Sequence, residues 1–330
     1  QIKVINKYFY IPWRTVLLNV NNFKDYLGLG KKPDDFNKIW NRGKKEVDSL
    51  GTSYELKQVD LPSHVANFYH LYFTGISGAR VHAQLVVPKK IEGKHPGVLL
   101  FHGYHCDSGD FQDKVGWAAE GFVSLALDCR GQGGLSEDNV AVKGDILNGL
   151  IIRGVEEWDP KKLYYYRVFL DTYQAAHILM SMDHVDEKKI FAQGASQGGG
   201  LSIARAGLVP EIYKVQVAYP FLSDYRKAYQ YGPNTAFSEL SYWFKYRDPL
   251  HKKENDFFNL LDYIDIKYLA ENIKAQVIWE IGGSDQLVPP ETQMAAYNRI
   301  KSKKQLYVEL EYGHEYLPHM GDETRSFFIE

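Results

Sequence analysis

The strongest chemical signal in the chain is Gly194-Ala195-Ser196-Gln197-Gly198. It follows the apolar run Ile190–Gln193 and opens a small-residue helical stretch, GGLSIARA. A G-x-S-x-G turn between strand and helix holds a serine on a strained backbone, and its glycines give that backbone room. The helix that follows directs its first N–H groups at developing negative charge. Ser196 is therefore the candidate nucleophile. Gly198, Gly199 and Gly200 also suggest a phosphate cradle, but no Walker lysine follows and the G-x-G-x-x-G spacing is absent. A serine in an ordinary tight turn is the plain alternative, and the strand and helix around it speak against that.

A serine hydroxyl needs a base and an acid that orients the base. In strand–turn–helix hydrolases these follow in the order acid, then histidine. His251, His314 and His319 follow Ser196. His314 lies in Tyr312-Gly313-His314-Glu315, just past the last apolar run, where a loop can bring an imidazole over the serine. His319, beside Pro318 at a helix start, is its rival, with a surface or capping role as the alternative. His251 lies in the charged run HKKEND and reads as solvated. For the acid, Asp285 leaves the run Val277–Ile281 through Gly282-Gly283-Ser284, with a capping or turn aspartate as the plain alternative. Asp262 and Asp265, in a polar helix-like segment, are weaker candidates.

Acyl transfer also needs oxyanion donors. Gln197 N–H, just after the nucleophile, is one candidate; Tyr104 N–H, in Phe101-His102-Gly103-Tyr104, is the other. His102, His105 and Cys106 cluster in that loop without a zinc-like ligand set, so no metal is expected. Arg130 and Gln132, in Asp128-Cys129-Arg130-Gly131-Gln132-Gly133, are expected to brace the site loops through backbone carbonyls rather than touch substrate.

These loops need strands to present them. After Pro96, short apolar runs alternate with helical stretches. The runs are Gly97–Phe101, Phe122–Leu127, Ile190–Gln193, Val215–Tyr219, Val277–Ile281 and Leu306–Leu310. The helical stretches are Phe111–Ala119, Tyr166–Met182, Gly199–Ala206 and Pro290–Ile300. Continuous apolar strands alternating with helices predict an α/β fold with a mostly parallel, doubly wound sheet. Phe68–Thr74 and Ala79–Val87, around the turn Gly75–Gly78, predict an antiparallel hairpin at its edge. The whole chain, 1–330, reads as one domain. Residues 1–50 read as an extension with a short helix near Pro33–Val47. Residues 134–162 and 223–268 read as insertions covering the sheet's C-terminal edge, where ligands bind in such folds.

Composition narrows the setting. A chain of 330 residues can bury a large core. With 39 basic and 41 acidic residues it has no excess to draw it to nucleic acid or anionic membrane. No apolar run is long enough to span a bilayer. Two cysteines, Cys106 and Cys129, make no disulfide framework and point to a reducing, cytoplasmic setting. The start at Gln1 leaves room for a removed signal peptide.

Taken together in this order, RGQG at Arg130–Gly133, GASQGG at Gly194–Gly199, GGSDQLVPP around Asp285 and His314-Glu315 resemble the acetyl xylan esterase/cephalosporin C deacetylase family, carbohydrate esterase family 7. FHGY at Phe101–Tyr104, IIRG at Ile151–Gly154, YYYRVFLD at Tyr164–Asp171 and YPFLSDYRKA at Tyr219–Ala228 extend the resemblance from about Asp34 onward. It implies an α/β-hydrolase fold and a serine esterase that removes acetyl groups from acetylated xylo-oligosaccharides and cephalosporin C. By motif it implies Ser196 as nucleophile, Asp285 as orienter, His314 as base, and Tyr104 and Gln197 as oxyanion donors. It places Tyr104 and Pro220 against substrate, Pro220 lining a small acyl pocket. It implies no cofactor, and a homo-oligomer, a hexamer in many relatives. Other readings of the elbow are a short-chain carboxylesterase, a dipeptidyl-peptidase-like enzyme or a non-catalytic binding protein.

Overall fold

A computed structural model describes residues 2–4, 20–144 and 149–330. Its strands are β1 (Ile2–Val4), β2 (Glu55–Val59), β3 (Ala66–Thr74), β4 (Arg80–Pro88), β5 (His95–Phe101), β6 (Val123–Leu127), β7 (Val185–Ala195), β8 (Lys214–Ala218), β9 (Gln276–Gly282) and β10 (Lys304–Glu309). They form one sheet in the order β1-β10-β9-β8-β7-β5-β6-β4-β3-β2. The pairings from β1 to β6 are parallel, and those of β2, β3 and β4 are antiparallel. This is the expected doubly wound sheet with its hairpin at one edge. The sheet extends further at both ends than the sequence pattern suggests. β2 is almost wholly exposed and too polar to show alternation, and β1 adds three residues beyond β10. Pro96 lies inside central β5, and the pairing with β7 shifts register between His95 and Gly97. A bulge there lets the ladder do without the missing N–H.

The helices are α1 (Phe36–Leu50), α2 (Val115–Ala119), α3 (Tyr164–Met180), α4 (Gln197–Leu208), α5 (Tyr225–Gln230), α6 (Ser238–Tyr246), α7 (Glu254–Leu261), α8 (Ile266–Ala270), α9 (Pro290–Tyr297) and α10 (Met320–Ile329). Strand side chains alternate between the two faces of the sheet. Leu99, Ala192, Val217 and Trp279 face the main core under α1, α3, α4, α8 and α9. Val98 and Phe191 face the other way, against Trp117 of α2 and Phe328 of α10. Both faces are covered, which is why the central strands read as unbroken apolar runs. Among the described residues no helix is long and apolar enough to cross a membrane.

The segment expected to be an extension packs closely on this body. Trp40 of α1 lies 4.9 Å from the Tyr166 ring and donates its indole N–H to Tyr263 O (3.0 Å). Tyr26 O–H donates to Asp224 (2.6 Å), and Asn298 donates to the Phe23 and Tyr26 carbonyls (2.7 and 2.8 Å). Asp262 and Asp265, weighed above as possible acids, instead surround buried Lys267 with Asp224, at 3.7, 2.6 and 3.5 Å from its Nζ respectively. Residues 134–162 hold two short 3-10 turns, Val155–Glu157 and Pro160–Lys162, and residues 223–268 hold α5 to α7 and the start of α8. Part of the first insertion, 145–148, lies outside the described residues.

Arg130 differs from expectation in its partner. Its guanidinium is fully buried and grips Asp171 of α3 through two bonds, at 2.6 and 2.5 Å. It reaches one carbonyl, Ile76 O, at 3.5 Å. A carboxylate inside α3 is the better partner, because a buried guanidinium needs a neutralising charge as well as acceptors. Arg130 therefore ties the end of β6 to α3. Arg130→Met should cost about 3–5 kcal/mol of stability in urea unfolding, because it leaves Asp171 buried without its cation. Adding Asp171→Leu should recover most of that loss; an unchanged midpoint in the single variant would refute the pairing.

Candidate active site

Ser196 occupies the single residue between β7 and α4, at φ 55° and ψ −120°. A positive φ is rare for a side chain with a Cβ, and the surroundings impose it. Ser196 N–H donates to Ala218 O (3.0 Å), and its carbonyl accepts from Gly200 N (3.0 Å) and Phe221 N (2.9 Å). The flanking glycines are needed for space: a Cβ on Gly194 would lie 2.3 Å from the Gly198 carbonyl carbon, and one on Gly198 would lie 2.0 Å from Phe101 O. The Ser196 side chain stays partly open to solvent.

Asp285 and His314 come together from the loops that leave neighbouring β9 and β10. His314 Nδ1 lies 2.8 Å from Asp285 Oδ2, and the Asp285 side chain is fully buried. The other carboxylate oxygen accepts Leu287 N–H (2.9 Å) and Val288 N–H (2.8 Å), so the acid cannot swing away. The two loops interlock: Ser284 donates its N–H to Tyr312 O and its hydroxyl to Leu310 O (2.9 and 2.8 Å). A Cβ on Gly282 would lie 2.1 Å from Gly313 O. The Tyr219 ring, just past Ala218, packs on the His314 ring with centroids 4.5 Å apart. Of the rivals, His319 is exposed at the start of α10 and makes no side-chain cap. His251 stacks on Phe244 at 4.5 Å and pairs with Glu254.

The Phe101–Tyr104 loop is held from several sides. His102 bonds Gly103 O through Nδ1 (2.7 Å) and accepts Cys129 N–H at Nε2 (2.9 Å), which fixes a neutral ring; burial pushes its pKa below the usual value. Gln197 Nε2 reaches the His102 and Gly103 carbonyls at 3.3 and 3.2 Å. Gln197 Oε1 accepts from Tyr165 O–H (2.8 Å) and Gln132 Nε2 (2.9 Å). Gln132 in turn accepts His105 N–H (2.9 Å). Gln132 thus braces the site, through an amide pair and a backbone N–H rather than through carbonyls. Pro220 is buried, and a Cβ on Gly199 would lie 2.9 Å from its Cβ, directly under the elbow. Among the described residues no group of three or more His, Cys, Asp or Glu side chains could hold a metal.

Glu239 escaped the sequence reading. It sits on the buried face of α6 with Leu240, Trp243 and Phe244. A carboxylate on an apolar helix stripe is the signal that could have found it. Its Oε1 accepts Tyr104 O–H (2.6 Å), and its Oε2 accepts the Ile151 and Ile152 N–H groups (2.6 and 3.1 Å). Leu150 N–H completes the set on the Tyr104 hydroxyl (2.9 Å). One carboxylate thereby joins the Tyr104 loop, the first insertion and the second.

Burial pushes Glu239 up to about 7 against these donors. A carboxyl whose folded pKa lies above its unfolded value binds more protons folded than unfolded, so stability falls as pH rises through that window. From about pH 5 to about pH 8 the wild type should lose up to about 3 kcal/mol relative to a Glu239→Gln variant. Urea unfolding of both proteins across that range checks this, and parallel pH curves would contradict it.

The fold and these loops have known counterparts. Residues 14–330 match the family model described as acetyl xylan esterase. Acetyl xylan esterase 1 from Thermoanaerobacterium sp. JW/SL YS485 superposes with a TM-score of 0.91 at 44% identity, covering 94% of this chain and 98% of that one. The acetyl xylan esterase from Paenibacillus sp. R4 gives 0.89 at 30% identity, with the same coverage. Acetyl esterase Axe7A of Xylanibacter ruminicola is 27% identical over 288 residues, 83% of this chain, which spans 62% of that protein's length. An acylaminoacyl peptidase from Pyrococcus horikoshii, at 15% identity and a TM-score of 0.58, shares the fold alone. A family model that runs over nearly the whole chain and two solved relatives that superpose along it lead to one statement: this chain belongs to the acetyl xylan esterase family.

Proposed function

We propose that the protein is a serine esterase that removes acetyl groups from acetylated xylo-oligosaccharides, and from small acetyl esters such as that of cephalosporin C. The observation that carries this reading is the 2.8 Å His314–Asp285 contact on loops of adjacent strands, beside a serine held at an elbow. Ser196 Oγ attacks the acetyl carbonyl while His314 Nε2 takes its proton. Asp285 holds the Nδ1–H tautomer and stabilises the imidazolium. The N–H groups of Gln197 and Tyr104 meet the oxyanion; neither the Gln197 nor the Tyr104 side chain is free to do so, since each is committed to other partners. His314 returns the proton to the leaving sugar hydroxyl. Water, activated by the same base, then frees acetate from Ser196. No cofactor enters any step.

Specificity for acetate is expected on the acyl side, where the family resemblance places Tyr104, its ring 5.6 Å from Phe221, and the buried Pro220. The family resemblance further supports a homo-oligomer, a hexamer by analogy, and two free cysteines support a cytoplasmic setting.

Ser196→Ala should lower kcat on 4-nitrophenyl acetate by about 10⁴-fold or more, and Asp285→Asn by about 10⁴-fold. Steady-state kinetics and acetate release from acetylated xylo-oligosaccharide measure both. Undiminished hydrolysis by Ser196→Ala would falsify the assignment. Across nitrophenyl esters of growing acyl length, activity should fall from acetate onward; a rise would point to a longer-chain esterase.

A further inference from the structure

Trp243 lies one turn beyond Glu239 on α6, so the two side chains share a face. Glu239 holds the Tyr104 loop, while Trp243 lines a separate cavity of about 330 Å³. The opposite wall comes from Glu156 and Trp158, a few residues past the Ile151 and Ile152 N–H groups that Glu239 accepts. The same two segments that close around Tyr104 therefore also build this cavity, whose volume is in the range of small-molecule sites.

Trp158 is unusual in two ways. It is 38% exposed, and its backbone is left-handed at φ 51°, fixed by its N–H to Val155 O (2.9 Å). Strain at a bulky side chain held towards solvent is a feature to be explained by function. Its ring meets Trp243 edge to face, at 6.4 Å and 80°. Polar groups surround the two rings. Arg247 and Glu156 form a half-open ion pair at 3.0 Å, and Lys253 Nζ rests 4.7 Å from the centre of the Trp158 ring. The Trp243 indole N–H has no acceptor among the described residues. Asp248 is already committed, accepting the Lys252 and Lys253 N–H groups that fold the turn into α7.

Trp243 is buried and stacks on Phe257 at 5.2 Å, so the half-exposed Trp158 ring, rimmed by a guanidinium, a carboxylate and an ammonium, is the face that matches a pyranose. The C–H face of a sugar packs on the ring, and its hydroxyls both donate to the carboxylate and accept from the cations. We propose that this cavity is a saccharide subsite that holds one sugar ring of the oligosaccharide whose acetyl group meets Ser196. The choice of a xylose chain rests on the esterase reading above; the aromatic cavity does not. Lys253, on an exposed flexible stem, moves aside or bonds a hydroxyl when the ring enters.

The test is calorimetric titration of wild type, Trp158→Ala and Trp158→Phe with unacetylated xylotetraose, which offers nothing to hydrolyse. Saturable binding by wild type is expected. It should weaken about tenfold or more in Trp158→Ala, a loss of one good ring contact, and largely return in Trp158→Phe. KM for acetylated xylotetraose should rise in Trp158→Ala relative to KM for 4-nitrophenyl acetate. A wild type that hydrolyses 4-nitrophenyl acetate yet binds no xylotetraose overturns the subsite and leaves the esterase reading standing. Equal affinity in Trp158→Ala overturns it too. A changed sedimentation coefficient in that variant would assign Trp158 to a subunit contact and overturn it likewise.

Discussion

Gly198 and the Phe101 carbonyl touch where the start of α4 crosses the end of β5. That contact leaves no space for even one carbon atom on Gly198. It fixes how far the elbow stands above the sheet, and so the height of Ser196. Phe101 is also the residue from which the His102–Tyr104 loop departs. The spacing between the serine and its candidate oxyanion donors is therefore set by backbone packing rather than by any adjustable side chain. Backbone contact of this kind is stiff, because glycine offers nothing to rotate out of the way. The three hydrogen bonds at Ser196 N and O hold the strained dihedrals in place, and the core beneath them bears the cost.

Around that fixed point a second layer of side chains locks the loops to one another. α3 supplies much of it from consecutive residues. Tyr164 donates to Arg130 O (2.6 Å), Tyr165 to Gln197, and Tyr166 packs on Trp40 of α1. Successive residues of a helix point about 100° apart, so the three rings reach three different elements. Glu239 plays the matching part from the other side of the site, gathering Tyr104 and the Leu150–Ile152 backbone. Tyr104, Gln132, Tyr164, Tyr165, Gln197 and Glu239 are all paired in this layer, and such networks favour one arrangement strongly over its neighbours.

Much of this was legible beforehand, and the parts that were not share a physical reason. Strands buried on both faces announce themselves as apolar runs, and the elbow announces itself by its glycines, so β5 to β10, Ser196 and the Asp285 and His314 loops could be read from local sequence. β2 could not, because an exposed edge strand such as ELKQV carries no pattern. The partners of Arg130, Lys267 and Glu239 could not either. Arg130 pairs 41 positions away, Glu239 reaches Tyr104 135 positions away, and Lys267 joins two near carboxylates to Asp224, 43 positions away; a lone charge in a sequence does not say which distant charge or N–H will meet it. Asp262 and Asp265 show the same limit: their polar neighbourhood hid a fully buried lysine that needed them.

The interlocked loops after β9 and β10 carry one more consequence, for how the molecule matures. Ser196 sits on a strand–helix unit whose height also depends on the Phe101 carbonyl, far earlier in the chain. The Asp285–His314 contact exists only after β10 has docked beside β9, across 29 positions of chain, with α9 between them. Contacts between distant segments close late, since chain entropy must be overcome before they return any stability. A newly made molecule can therefore use its serine only when the elbow's contact with Phe101 and the docking of β10 on β9 are both complete. The appearance of hydrolytic power during refolding should report the joint completion of these contacts, which helix content or compactness does not isolate.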